Sequence, residues 1–239
     1  MSTERAAAEA RLRAMAAQLG SVNERMVFIG AAVLPLLVED DDRWESPRST
    51  DDVDAIAATA SYTQRGRLEE LLRERGFAPD MTAPHAGRFR APDATIFDLS
   101  FAGDHVGGSG SSVDGLAVKS AQLLDGEPPL RHLSAAGFFL MKCAAFRDRG
   151  LRAPHASKDL ADIAVLLLGC RSLAGQLRSH AESSEAWAQE IVSAVTTLRA
   201  APDLLGALRT HCAQRGPLPP DTSTSLAREV MEAVEKFAW

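Results

Sequence analysis

Arg48-Ser49-Thr50-Asp51-Asp52-Val53-Asp54 (RSTDDVD), with the apolar stretch from Met26 to Val38 before it (MVFIGAAVLPLLV), decides how this chain is read. The apolar stretch turns at Gly30, so it reads as a short strand, Met26 to Ile29, followed by a helix from Ala31 to Val38. Asp52 to Ala58 reads as the next strand. Side chains alternate across a strand, so Asp52 and Asp54 share one face while Val53 and Ala55 turn to the core. Two hard oxygen donors on one face lie within reach of a single divalent cation. Magnesium usually takes one or two protein carboxylates and fills its other positions with water and phosphate oxygens. A third acid, Asp98, stands inside the strand-like run Ala94-Thr95-Ile96-Phe97-Asp98-Leu99-Ser100-Phe101. A carboxylate among such neighbours is costly to bury without a partner. A metal shared with Asp52 and Asp54 would supply one.

The rest of the chain organises around these runs. Residues 3 to 19 read as an amphipathic helix stopped by Gly20, and Tyr62 to Arg75 as a charged helix closed by Gly76. Arg88 to Ala91 and Thr95 to Phe101 form a hairpin, Leu130 to Leu133 a short strand, and Val113 to Ala121 reads equally as strand or helix. Gly103 to Ser112 is loop-like and lacks the Gly-Lys-Ser/Thr of a phosphate-binding Walker loop. From Ser134, a plausible N-cap, the pattern is helical almost without break: Ser134 to Arg149, Lys158 to Leu168, Leu173 to His180, Glu185 to Leu198, Pro202 to Gln214 and Thr222 to Phe237. The expected fold class is α+β. A small mixed β-sheet with helices on one face occupies residues 1–133, and an all-α region occupies residues 134–239.

Composition narrows the function. With 46% hydrophobic, 24% charged and only 5% aromatic residues, the chain reads as an ordinary globular, helix-rich protein. No apolar run approaches the ~20 residues that span a bilayer, and the alternately charged N-terminus is no signal peptide, so a cytoplasmic protein with no membrane partner is expected. Cys143, Cys170 and Cys212 are far apart and fit no zinc spacing; each reads as a small buried hydrophobe. The histidines form no ligand pair, so zinc is not expected. A net charge of −6 argues against broad duplex-DNA binding. Arg147, Arg149, Arg152, His155 and Lys158 still form a local basic group, either a solvated helix end or a contact for phosphate or RNA backbone.

These motifs resemble the AbiEii/AbiGii toxin family, minimal nucleotidyltransferases of the DNA polymerase beta-like superfamily. The family has a Gly-small turn after a first strand, a lead rich in Arg, Ser and Thr into Asp-x-Asp, and a later lone Asp. Here these are Gly30-Ala31, Arg48 to Asp54, and Asp98. A second block of the family has a helix with a lysine and a downstream Arg-Gly, then a Ser-Lys/His-Asp-x-x-Asp helix. It matches Lys142, Arg147, Arg149-Gly150, Ser157-Lys158-Asp159 and Asp162. The resemblance covers residues 24 to 175. It implies Mg2+ or Mn2+ held by Asp52, Asp54 and Asp98, with Asp98 also helping to deprotonate the acceptor hydroxyl. It implies Gly30, Arg48, Ser49, Thr50, Lys142, Lys158 and Asp159 as nucleotide- and phosphate-binding residues. The implied activity is transfer of a nucleoside monophosphate from a nucleoside triphosphate to RNA (tRNA in some relatives) or to protein. The setting would be the toxin of a toxin–antitoxin or phage-defence pair, with a cognate antitoxin as partner. One departure is Ala31, where the superfamily usually has Ser or Gly after the first glycine; backbone N–H groups at a helix N-terminus would take over the phosphate contact.

Other readings stay open. Asp52 and Asp54 also suit a turn and strand edge, Asp98 a salt-bridged strand, and Lys142 a snorkelling helix edge. Ser157 to Asp162 also suits a helix cap with surface ion pairs. Two further functions compete. One is a small-molecule, antibiotic-type nucleotidyltransferase, hinted at by the acidic Asp40-Asp41-Asp42. The other is a non-catalytic module of the same fold that binds nucleotide or a partner protein.

Overall fold

The strand that carries Asp52 and Asp54, β2 (Asp52–Ala58), is the middle strand of a seven-stranded sheet. A computed structural model describes residues 3–39, 50–58, 61–83, 87–102 and 112–213, together with Ser225, Arg228 and Glu232. Among these residues the fold is mixed α+β. Asp40–Asp42, the stretch Gly103–Ser111 expected as a loop, and the helix expected over 222–237 apart from those three residues lie outside the described residues.

Two units of the chain pack separately: Met1–Leu36 with Arg48–Gly137, and Leu37–Pro47 with Phe138–Trp239. The first holds the sheet. Its other strands are β1 (Met26–Ile29), β3 (Ala78–Pro79), β4 (Arg88–Arg90), β5 (Ile96–Ala102), β6 (Gln122–Leu124) and β7 (Leu130–His132), in the order β3-β4-β5-β2-β1-β7-β6. β2 runs parallel to β5 and antiparallel to β1, and β1 runs parallel to β7. The apolar runs of the sequence explain the interior strands: all four residues of β1 are buried, as are Val53, Ala55, Ile56 and Ala57 of β2 and Phe97, Leu99 and Phe101 of β5. Each large side chain so buried contributes roughly 1.5–3 kcal/mol of hydrophobic stabilisation.

The sheet is larger than the sequence suggests. Five of its strands coincide with segments that read as strands in the sequence; the other two, β3 and β6, are the edges and have two and three residues. Neither is long enough for an alternation to register, and Pro79 in β3 is a residue that sheets confine to their edges.

Helix α1 (Thr3–Leu19) buries Leu12, Met15, Ala16 and Leu19, the spacing of one helix face. At Gly20 the chain tightens into a 3-10 helix, Gly20–Arg25. The helix expected over 31–38 is instead a 3-10 turn, Ala31–Val33, followed by the four-residue α2 (Leu34–Leu37). Helices α3 (Tyr62–Glu74) and α4 (Ser112–Lys119) complete this unit, and α4 resolves the ambiguous segment as helix. Ser61 caps α3, its side chain accepting from the Gln64 amide.

Among the described residues of the second unit, the regular elements are all helical. Helix α5 (Ala135–Ala145) is capped by Ser134, which accepts from the Gly137 amide at 3.0 Å. It continues without a break as a π-helix, Phe146–Gly150, so the helical run expected to Arg149 is present with its last turn widened. Helices α6 (Lys158–Gly169), α7 (Leu173–Ser183), α8 (Glu185–Arg199) and α9 (Leu204–Ala213) follow. α7 packs on α8, and α9 packs on α6 and on the turn Pro154–Ala156. No single helix among the described residues is long and apolar enough to cross a membrane.

Candidate metal centre on the sheet

Strand register brings the acids together. Arg88 of β4 pairs with Asp98 of β5, Asp98 with Asp54 of β2, and Asp54 with Ile29 of β1. Asp52 lies two residues from Asp54 on the same strand face. One carboxylate oxygen from each of Asp52, Asp54 and Asp98 falls within 4.8 Å of the others, and all three residues are half-buried. The core-facing Val53 and Ala55 alternate with them and are fully buried, as the strand period requires.

The sequence did not reveal how Asp98 is partnered. Arg88 Nε donates to Asp98 Oδ1 at 2.8 Å and Nη2 to Oδ2 at 2.6 Å, a two-pronged ion pair. The same Nη2 lies 3.7 Å from Asp52 Oδ2. Metal is therefore not needed to offset the burial of Asp98, and the salt-bridged strand reading of that residue holds alongside its place in the trio. The Asp98 hydrogen bonds, working against partial burial, hold the Arg88 guanidinium above its ordinary value. The signal that finds Arg88 is the register of the hairpin: once Arg90 is set opposite Ile96, Arg88 falls opposite Asp98.

Thr50 Oγ1 donates to Asp52 Oδ1, and Arg11 Nη1 donates to the Thr50 carbonyl, so Thr50 tethers the start of β2 to α1. Arg48 and Ser49, the other expected phosphate contacts beside Thr50, lie outside the described residues. Gly30 follows β1 with φ +74°, and a Cβ there would stand 2.0 Å from Asp54 Oδ2 and 2.9 Å from Asp54 Cβ. Only glycine fits this backbone and leaves Asp54 in place. Two short helical pieces follow Gly30, so the helix N-terminus expected to contact phosphate there is that of a 3-10 turn leading into the four-residue α2.

Lys142, Lys158 and Asp159 belong to the second unit. Within it, Lys142 Nζ lies 2.8 Å from Asp162 Oδ2 and 3.3 Å from Asp159 Oδ1. Arg149 donates to both Asp159 oxygens, at 2.7 and 2.9 Å. Ser157 caps α6 by accepting from the Leu160 amide, as the capping reading expects. Asp159 and Asp162 do not form surface pairs, however: both are buried, one turn apart, and turned to Lys142. Burial pushes the Asp159 carboxyl up, but the Arg149 hydrogen bonds and the Lys142 charge outweigh it and hold the group below the ordinary carboxylate value. Lys158 is exposed.

An all-oxygen donor set of three carboxylates suits a hard divalent cation such as Mg2+ or Mn2+. Mg2+ ligands sit at ~2.1 Å from the ion, so opposed ligand oxygens are ~4.2 Å apart. The trio's three ligand oxygens all lie within 4.8 Å of one another, near enough to converge on one ion. Neither a family model nor a curated protein matches this chain.

Proposed function

We propose that this protein is a magnesium- or manganese-dependent nucleotidyltransferase that moves a nucleoside monophosphate from a nucleoside triphosphate to an acceptor hydroxyl. One observation carries the reading: Asp52, Asp54 and Asp98 converge from two parallel strands to within 4.8 Å. In this reading the three acids hold the cation, which when bound offsets phosphate charge and lowers the barrier to displacement. The acceptor oxygen attacks the α-phosphorus, a P–O bond to the acceptor forms, and the bond to the β-phosphate oxygen breaks to release pyrophosphate. Asp98 takes the proton from the acceptor hydroxyl. Gly30 keeps the backbone beside Asp54 free of any side chain, so the carboxylate keeps its orientation. Arg48, Ser49 and Thr50, in the same unit as the acids, remain proposed nucleotide contacts.

RNA, including tRNA, or protein is the proposed acceptor class, and a toxin–antitoxin or phage-defence role with an antitoxin partner goes with it. A cytoplasmic setting follows from the triphosphate co-substrate. The Arg88–Asp98 ion pair favours a second reading, a binding module in which the guanidinium permanently neutralises the acids. Magnesium-dependent pyrophosphate release from a nucleoside triphosphate, measured with and without total RNA, separates the two; Asp54→Asn is the control.

A further inference from the structure

We infer that Arg88 is a displaceable counterion of the carboxylate trio, a positioning residue that withholds Asp98 and Asp52 from free divalent cations and releases them when a metal–triphosphate complex arrives. The inference rests on the metal reading above.

The geometry carries it. The Arg88 fork engages both oxygens of Asp98, at 2.8 and 2.6 Å. Its Nη2 also reaches toward Asp52, at 3.7 Å. One guanidinium thus spans two strands and reaches two of the three candidate ligands. The acids cannot serve both cations fully. A divalent ion on these oxygens would stand a few ångströms from the guanidinium, and like charges so close in a half-buried site repel.

The Arg88 side chain is itself partly exposed, so leaving the acids does not strand its charge in an apolar interior. A planar fork that binds a carboxylate with two prongs suits phosphate oxygens equally well. A triphosphate brings both the replacement cation for the acids and a replacement anion for Arg88. Free metal brings only the first. Arg88 therefore makes metal binding conditional on nucleotide and keeps the acids paired in its absence.

The test is binding of Mn2+ alone to the full chain, followed by electron paramagnetic resonance, for the wild type and for Arg88→Gln, Arg88→Lys, Asp54→Asn and Arg88→Gln/Asp54→Asn. Arg88→Gln should bind Mn2+ roughly tenfold tighter than wild type, the scale of removing one like charge beside the ion. Asp54→Asn should remove that gain. Arg88→Lys, which keeps the charge and loses the fork, should fall between, and it decides the matter if Arg88→Gln does not fold. Mn2+ affinity unchanged or lowered in the Arg88 variants, with wild-type binding still dependent on Asp54, would overturn the counterion role and leave the metal site standing. Mn2+ binding that ignores Asp54 in every variant would overturn both.

Discussion

Asp54 and Asp98 stand directly opposite each other in the parallel β2–β5 register, and both feed one cluster of carboxylate oxygens. Acids placed opposite each other across strands are unfavourable for the sheet. Arg88, next in the same row, offsets that cost through its pair with Asp98. The proposed metal site would offset the rest of that cost, and the first prediction follows from it.

A ligand that binds only the folded state raises stability by mass action, by about 2.7 kcal/mol at a hundred times its dissociation constant. Millimolar Mn2+ with a nucleoside triphosphate should therefore raise the melting temperature of the wild type. Asp52→Asn/Asp54→Asn should fold and show no such rise. An equal rise in both proteins would put the ligand elsewhere.

Gly30→Ala should cost about 1–3 kcal/mol, because its left-handed φ of +74° strains any side chain and the new Cβ meets Asp54. Urea unfolding measures the cost. Mn2+ affinity should fall as well, since the clash displaces a ligand of the trio. A neutral substitution in both measurements would show that the loop relaxes without moving Asp54.

Lys142→Ala takes a cation away from two buried acids. Breaking a buried ion pair from one side costs roughly 3–5 kcal/mol, and the retained Arg149–Asp159 pair puts this variant at the lower end, about 3 kcal/mol. A loss under about 1 kcal/mol in urea unfolding, the range of exposed ion pairs, would mean that the network is solvated and contributes little to the fold.

The depressed Asp159 carboxyl gives an acid dependence of stability. A carboxyl whose folded-state value is lowered contributes stability that is complete above the unfolded value of ~3.9 and is lost as pH falls through the folded value. Asp159→Asn should be less stable than wild type at neutral pH, and the gap should shrink as pH falls below ~4. A gap that stays constant across the acid range would show that the charge of Asp159 contributes nothing.

Cys143, Cys170 and Cys212 are buried, and burial, reinforced by the Asp159 charge, pushes the Cys143 thiol up. Thiolate is the reactive form, so the native protein should resist alkylation at neutral pH, and all three should label after denaturation. Rapid native labelling at Cys143 would place it in a far more open setting.

The sequence carried the interior of the sheet and the order of the helices well, because β1, β2 and β5 are apolar runs whose alternation or length marks them without tertiary information. Asp52 and Asp54 were legible from strand period alone. Their meeting with Asp98 depends on which strands neighbour each other, and the resemblance pointed to it where periodicity could not. Arg88 was missed because its partner is ten positions away across a hairpin and nothing in its immediate neighbours is acidic. Edge strands of two and three residues carry no pattern to read. The helical run to Arg149 was legible as well; that its last turn, Phe146–Gly150, is a π-helix, with Gly150 leaving room for Ser157, was not.

The most direct test of the central claim is label transfer. Purified protein is incubated with each α-labelled nucleoside triphosphate, Mg2+ and total cellular RNA, with Asp52→Asn/Asp54→Asn in parallel. The expected result is label in RNA or in protein, dependent on Mg2+ and on the intact acids. No transfer under any nucleotide, or transfer that survives loss of both Asp52 and Asp54, would contradict the claim that these acids form a nucleotidyl-transfer centre.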